Sequence, residues 1–388
     1  MRMKTQSRLR ESGYSREAVL FAMLVVLLVL TGVTAFASRM YHRTFHVLAD
    51  QWFAQGEADF QAGHAADALN DYRNALVYAP YNSQFQFHLA KALAATGREE
   101  EAQSYLLSLL SESPGSGEIN LELARIAARK DKVNDALRYY HSAIYGGWEK
   151  DPAAMRWSVR LELIEYLLNR GTMNQAEAEI IAAADDVSPG DVDAVKKAGA
   201  LLLRVNLWNR ALTEFRSVLA ADRHDEDALE GAGVASFHLG QYGQAYDYFN
   251  RLPQEKQSGP QIADMVETSR QILDDDPFVP RLSAEEKAAR TSRALAQAES
   301  HLQRCAQQKG EVPAATPAVT DLQKLYARKR EMRIEWNESS LGRYPSRVDE
   351  AMALAFAIEN AVVSSCGPPQ GPDRALWLLA QSRASSNK

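Results

Sequence analysis

The thiol chemistry open to this chain of 388 residues rests on two cysteines, Cys305 and Cys366. Each stands at the end of a predicted helix. An even count in an oxidising compartment points to a disulfide, and the loop it would close is worth about 4 kcal/mol by chain entropy. The alternative is two buried free thiols. The eight histidines, among them His64, His88, His141 and His238, are scattered without a partner at metal-ligand spacing. Asp222, His224, Asp225 and Asp227 could suggest a cation site, yet a solvated helix start explains them, and Asp274, Asp275 and Asp276 read as an acidic helix end. No Walker loop, GxSxG, HExxH or CxxC occurs. The expectation is a binding protein, not an enzyme, with no catalytic residues, no metal and no cofactor.

The elements carrying these residues read as helices. Alanine- and leucine-rich stretches dominate, 46% of residues are hydrophobic and 24% charged, and strand-like alternation is hard to find. The fold class is all-α. The net charge of −6 is unevenly spread: residues 1–49 carry seven Lys/Arg against two acids (+5), residues 50–282 carry 22 against 36 (−14), and residues 283–388 carry 15 against 12 (+3). The acidic stretch would repel nucleic acid, whose binding requires Lys and Arg to neutralise phosphates.

Residues 18–38 are twenty-one in a row without a charge, enough for a helix across roughly 30 Å of hydrocarbon. Arg2, Lys4, Arg8, Arg10 and Arg16 precede the run; only Arg39 and Arg43 closely follow it. The positive-inside bias would keep the basic tail 1–17 in the cytoplasm and export everything after the span. The expectation is an N-terminal transmembrane helix, a signal-anchor over 18–38, crossing a bacterial inner membrane once with the bulk of the chain periplasmic. The alternative is a signal peptide cleaved near Ala37, where Ala35-Phe36-Ala37 has the small-x-small pattern. Both readings export the chain.

A fixed period runs through residues 50–253. Gly56, Gly63, Ala68, Tyr72, Ala75 and Pro80 recur 34 positions on as Ala90, Gly97, Ala102, Leu106, Leu109 and Pro114. Ala124, Asp131, Ala136, Tyr140 and Ala143 follow at the same shift. After an insertion come Ile164, Gly171, Ala176, Ile180 and Ala183, then Gly199, Asn206, Ala211, Phe215 and Val218, and last Gly233, Gly240, Ala245, Phe249 and Leu252. Small residues at the third position, and at the first in every unit but the one with Ile164, let two helices approach closely. Gly, Asn or Asp at the second suits a left-handed turn between them. The large residue after the alanine fills the joint between neighbours, and Pro80 and Pro114 stop the second helix.

In these residues the chain resembles the tetratricopeptide-repeat family, whose unit is a helix-turn-helix. The resemblance implies an α-solenoid of about six repeats, with residues 254–276 as a segment capping its end. It also implies a concave groove, lined by the first helix of each unit, that takes a protein or peptide partner. Phe53, Glu57, Phe60, Phe87, Lys91, Leu121, Arg125 and Arg129 are expected to face it, and further along Glu165, Asn169, Arg204, Phe237 and His238. Phe53, Phe60 and Phe87 beside Lys91, Arg125 and Arg129 would suit a partner segment with apolar and acidic side chains, although Phe60 could equally be packing between repeats. Lys91, Arg125 and Arg129 resemble part of the set with which some family members grip a terminal carboxylate; a solvated basic patch is the alternative. The function that follows is a membrane-anchored scaffold assembling envelope or secretion machinery. Its alternative is a chaperone-like holdase for exported proteins.

Beyond a linker at 277–283 a small helical module occupies 283–384. Ser283 and Glu286 form a capping box, opening a helix to about Arg304 with Leu295, Ala298, Leu302 and Cys305 on one stripe. A basic helix is expected over 321–336, another over 346–365, and a short one over 374–380 after the break CGPPQGP.

Overall fold

The computed structural model describes residues 16–188, 190–311, 318, 320–333 and 338–386; most of the basic tail 1–17 and the end of the helix expected over 321–336 lie outside them. The chain divides into two compact units, residues 1–166 and 167–388, with the division inside α7. The first unit comprises α1 (Arg16–Gln61), α2 (Ala65–Tyr78), α3 (Ser83–Ala95), α4 (Glu99–Glu112), α5 (Gly117–Arg129), α6 (Val133–Ile144) and most of α7 (Pro152–Asn169). The second holds α8 (Met173–Asp186), α9 (Val192–Arg204), α10 (Trp208–Ala221), α11 (Glu226–His238), α12 (Tyr242–Asn250), α13 (Gln254–Gln257), α14 (Pro260–Asp275), α15 (Ala284–Gln308), α16 (Asp321–Arg333), α17 (Glu338–Arg343), α18 (Pro345–Cys366) and α19 (Arg374–Ser386). Among the described residues the only β pairing is an isolated bridge between Ser116 and Gly147.

One expectation is corrected. Among the described residues no helix is long and apolar enough to cross a membrane, so the transmembrane helix expected over 18–38 does not stand. Nor is the segment a separate element: α1 continues unbroken to Gln61, where it serves as the first helix of the first repeat and packs along α2.

The helix pairs follow from the recurring residues. Gly63, Gly97, Gly171 and Gly240, with Asp131 and Asn206, all have positive φ, between 57° and 84°. These are the six turns between first and second helices, where a side chain other than Asn or Asp would strain the backbone. Ala68, Ala102, Ala136, Ala176, Ala211 and Ala245 are fully buried where the helices touch. A Cβ added at Gly56, Gly199 or Gly233 would lie 2.8, 2.8 or 2.4 Å from the rings of Tyr72, Phe215 or Phe249, so the aromatic residue uses the space the glycine leaves. Stacking of this kind buries faces that one pair of helices could not bury alone.

Repeat three ends differently. Gly147 N–H donates to the Gly115 carbonyl (2.7 Å) and Gly117 N–H to the Gly147 carbonyl (2.9 Å). Trp148 is buried there, its indole N–H bonded to the Ala143 carbonyl (2.9 Å), against a Gly117 that has no room for a side chain.

In the second unit α14 packs on α12, and α15 lies along α18. The Ser283–Glu286 capping box opens α15. A disulfide joins Cys305 to Cys366, 61 residues apart.

Candidate functional site

In the first unit, α1, α3 and α5 are the first helices of three successive repeats, and they carry the six residues expected to bind a partner. Phe53 stacks on Phe85 at 4.6 Å between ring centroids and packs against Ala49 and Ala75; it belongs to the joint between repeats one and two. Phe60 and Phe87 are half-buried. Between them stands Lys91, whose ammonium lies 5.4 Å from the Phe60 ring centre and 5.8 Å from that of Phe87. Both distances are within the reach of a cation–π attraction. Among the described residues Lys91 has no carboxylate partner.

The two arginines are differently placed. Arg125 grips Glu162 through Nε (2.9 Å) and Nη2 (2.7 Å) and reaches Glu122 through Nη1 (2.8 Å). Arg129 Nε bonds Glu99 at 2.6 Å. Glu162 also accepts the Tyr140 hydroxyl at 2.9 Å. Burial raises the Glu162 carboxyl, but Arg125 and the Tyr140 hydroxyl outweigh it and hold the group below its ordinary range. The structure thus brings Phe60, Phe87 and Lys91 together, commits Arg125 and Arg129 to acids of neighbouring helices, and assigns Phe53 to packing.

Glu57 is also engaged. Its carboxylate accepts the Tyr72 hydroxyl at 2.5 Å and lies against His88 Nδ1. Burial depresses the His88 imidazole and Lys91 adds to the effect, which the nearby Glu57 opposes without reversing. A desolvated histidine between Phe53, Tyr72 and Phe87 was not singled out from sequence; the signal available was its place one residue after Phe87.

In the second unit, α9 and α11 form a shallow cleft of about 480 Å³ lined by Lys196, Lys197, Leu203, Asp227, Glu230 and Val234, among others. Lys196 bonds Asp225 (3.0 Å) and Asp227 (3.4 Å), and Lys256 bonds Asp227 (3.1 Å) and Glu226 (3.4 Å). Asp225 caps α11 by accepting the Ala228 N–H, and Asp222 accepts the His224 N–H. The acidic run between repeats five and six is therefore spent on caps and lysines. Phe237, expected on the groove, is buried with the Arg374 guanidinium 5.7 Å from its ring, and His238 stacks on Trp208 at 4.0 Å.

The family model for the tetratricopeptide repeat matches residues 53–117 and 196–260, one stretch in each unit. The chain carries tetratricopeptide repeats. No curated protein matches it. Similar solved structures include the C-terminal part of a tetratricopeptide-repeat protein from Cytophaga hutchinsonii, 15% identical, covering 63% of this chain and 94% of that one with a TM-score of 0.41. PilW, a type IV pilus biogenesis factor, is 16% identical over 55% of this chain and 96% of its own, with a TM-score of 0.37. YrrB, described as having an unusual peptide-binding site, is 17% identical over 46% and 89%, with a TM-score of 0.34.

Outside the matched tetratricopeptide stretches, the C-terminal helices enclose a polar pair that sequence did not reveal. His301 Nδ1 and Glu359 Oε1 are 2.7 Å apart, with side chains 4% and 0% exposed. Asp373 lies at 3.7 Å from His301 Nε2 and bonds Arg304 at 2.7 Å. His301 and Glu359 sit on α15 and α18, the same two helices that the disulfide joins.

Proposed function

We propose that this repeat protein is a scaffold that captures a segment of a partner protein on the first-helix face of repeats one and two. The observation that carries the reading is Lys91: a cation without a carboxylate partner among the described residues, held over the half-exposed faces of Phe60 and Phe87. Aromatic and basic anchors of this kind hold much of the energy of an interface. A segment presenting an acidic side chain next to an apolar one would satisfy both the charge and the rings. Arg125 and Arg129 add little to the docking, because their charge is already met.

Replacing Lys91 and Phe87 together by Ala should weaken capture of partners about tenfold or more, with the helical content unchanged. Crosslinking of the parent followed by mass spectrometry should return a few defined partners. Undiminished capture by the double variant would remove the site, and a broad set of unfolded chains would favour a holdase.

We further propose that the protein works in an oxidising compartment outside the cytoplasm. The Cys305–Cys366 disulfide supports this, since such bonds are rare where thioredoxin and glutathione keep thiols reduced. Alkylation of native protein without reductant should label neither cysteine; two labels would end this reading.

A further inference from the structure

On the opposite faces of the repeats from the first helices, α10 and α12 are the second helices of repeats five and six. Between them and the start of the α10–α11 turn opens a cleft of about 560 Å³, lined by Arg216, Arg223, Arg251, His224, Tyr248 and Leu219 with Ala220. No carboxylate lines it, although residues 50–282 carry 36 acids against 22 basic residues. None of the three arginines forms an ion pair among the described residues.

What they bond instead is neutral. Arg216 Nε donates to the Tyr248 hydroxyl at 3.3 Å and its Nη2 donates to Gln244 Oε1. Arg251 Nη2 donates to the Arg223 carbonyl, and its guanidinium lies 6.0 Å from the centre of the Tyr248 ring. Asp222, the residue before Arg223, accepts the His224 N–H at 2.9 Å. Two guanidiniums are thereby held in place with donors to spare and their charge unmet. A third, Arg223, is exposed beside them without a side-chain bond among those described.

We propose that this cleft binds a compact phosphate-bearing anion, a small soluble molecule and not a polymer. Guanidinium groups match the oxygens of a phosphate with paired, charge-assisted hydrogen bonds, and the prior fixing of two of them lowers the ordering cost of binding. The volume falls within the range of about 300–1,000 Å³ typical of small-ligand sites. A long polyanion would fare worse. Beyond the cleft it would meet the net charge of −14 carried by residues 50–282, so its remaining phosphates would be repelled.

Isothermal titration of the full chain with inorganic phosphate, and separately with glycerol phosphate, at constant ionic strength against a chloride control, tests this. Saturable binding of either, weakened about tenfold or more in Arg216→Gln and again in Arg223→Gln, is the expected result. The two titrants separate a free phosphate from a phosphomonoester as the preferred ligand. Arg210→Gln, which removes an arginine on the same helix already paired with Asp185, should bind as the parent does. Heats no larger than chloride gives, or binding indifferent to both cleft variants, would overturn the site. Tighter binding of single-stranded nucleic acid than of either small anion would overturn the choice of ligand. Arg223→Gln keeps the test decisive should Arg216→Gln perturb α12, because its side chain supports nothing else in the fold.

Discussion

Arg125 on α5 of the first unit and Arg223 in the α10–α11 turn of the second are both surface arginines of the repeats, and they differ in one respect. Arg125 is closed onto Glu162 and Glu122; Arg223 has no acid to close on. The same contrast separates Arg129, bonded to Glu99, from Arg216 and Arg251, whose acceptors are a phenol, an amide and a carbonyl. Counting basic residues along a helix face therefore says little about where positive charge is available. What decides it is whether a neighbouring repeat supplies a carboxylate at the matching height.

The pair most deeply committed should give the largest effect. His301 and Glu359 are buried, and removing one partner strands the other. His301→Leu should cost about 3–5 kcal/mol in urea unfolding, and His301→Leu with Glu359→Leu should recover much of that, because two apolar side chains carry no desolvation debt. If the double variant is no more stable than the single one, the cost lies in packing and not in the pair.

Glu162→Gln probes the half-exposed counterpart in the first unit. It keeps the shape and an acceptor but removes the charge that Arg125 meets, and screening by water limits the loss to about 1 kcal/mol. The sign of the pH dependence follows from the depressed Glu162 carboxyl. Between the native value and the unfolded value near 4.5, the unfolded chain binds the proton and the folded chain does not, so stability rises with pH. The contribution is fully present above about 4.5 and disappears as pH falls through the native value. Parent and variant should therefore converge in acid. A gap that stays constant from neutral pH to pH 3 would mean the ion pair is not its source.

The repeats were legible because their geometry constrains single positions. Only a residue tolerant of positive φ serves at Gly63 or Asn206, and only a residue without a side chain serves at Gly233, beneath Phe249. Such constraints recur at a fixed spacing and announce themselves. Ion pairs between repeats leave a fainter trace, a pair of opposite charges about one unit apart. Arg129 and Glu99 are 30 residues apart, as are Lys130 and Glu100, and Lys196 and Asp225 are 29 apart. A search for that spacing would have removed Arg129 from the expected partner site. Arg125 would have escaped it, since the insertion before α7 sets Glu162 at 37. The His301–Glu359 pair had no sequence signal, because its members are 58 positions apart with α16 and α17 between them. The apolar run at 18–38 misled for the opposite reason: composition alone suggested a span, whereas α1 runs on through it into the first repeat.

The smallest effect is the one on which the contrast turns. Arg223→Gln removes a guanidinium that is exposed, paired with no carboxylate and without a side-chain hydrogen bond among those described. Surface substitutions away from such features change stability by no more than about 0.5 kcal/mol, so urea unfolding of this variant should overlay that of the parent. Its backbone carbonyl, which accepts the Arg251 guanidinium, is untouched by the change, and that bond should survive. In a region with an excess of acids, losing a cation costs some general attraction, and added salt should erase even that small difference because exposed charges are screened within about 10 Å at 0.1 M salt. A loss above 1 kcal/mol that persists at high salt would show that Arg223 has a structural partner after all. It would then belong with Arg125, and the distinction between committed and available arginines would fail where it is sharpest.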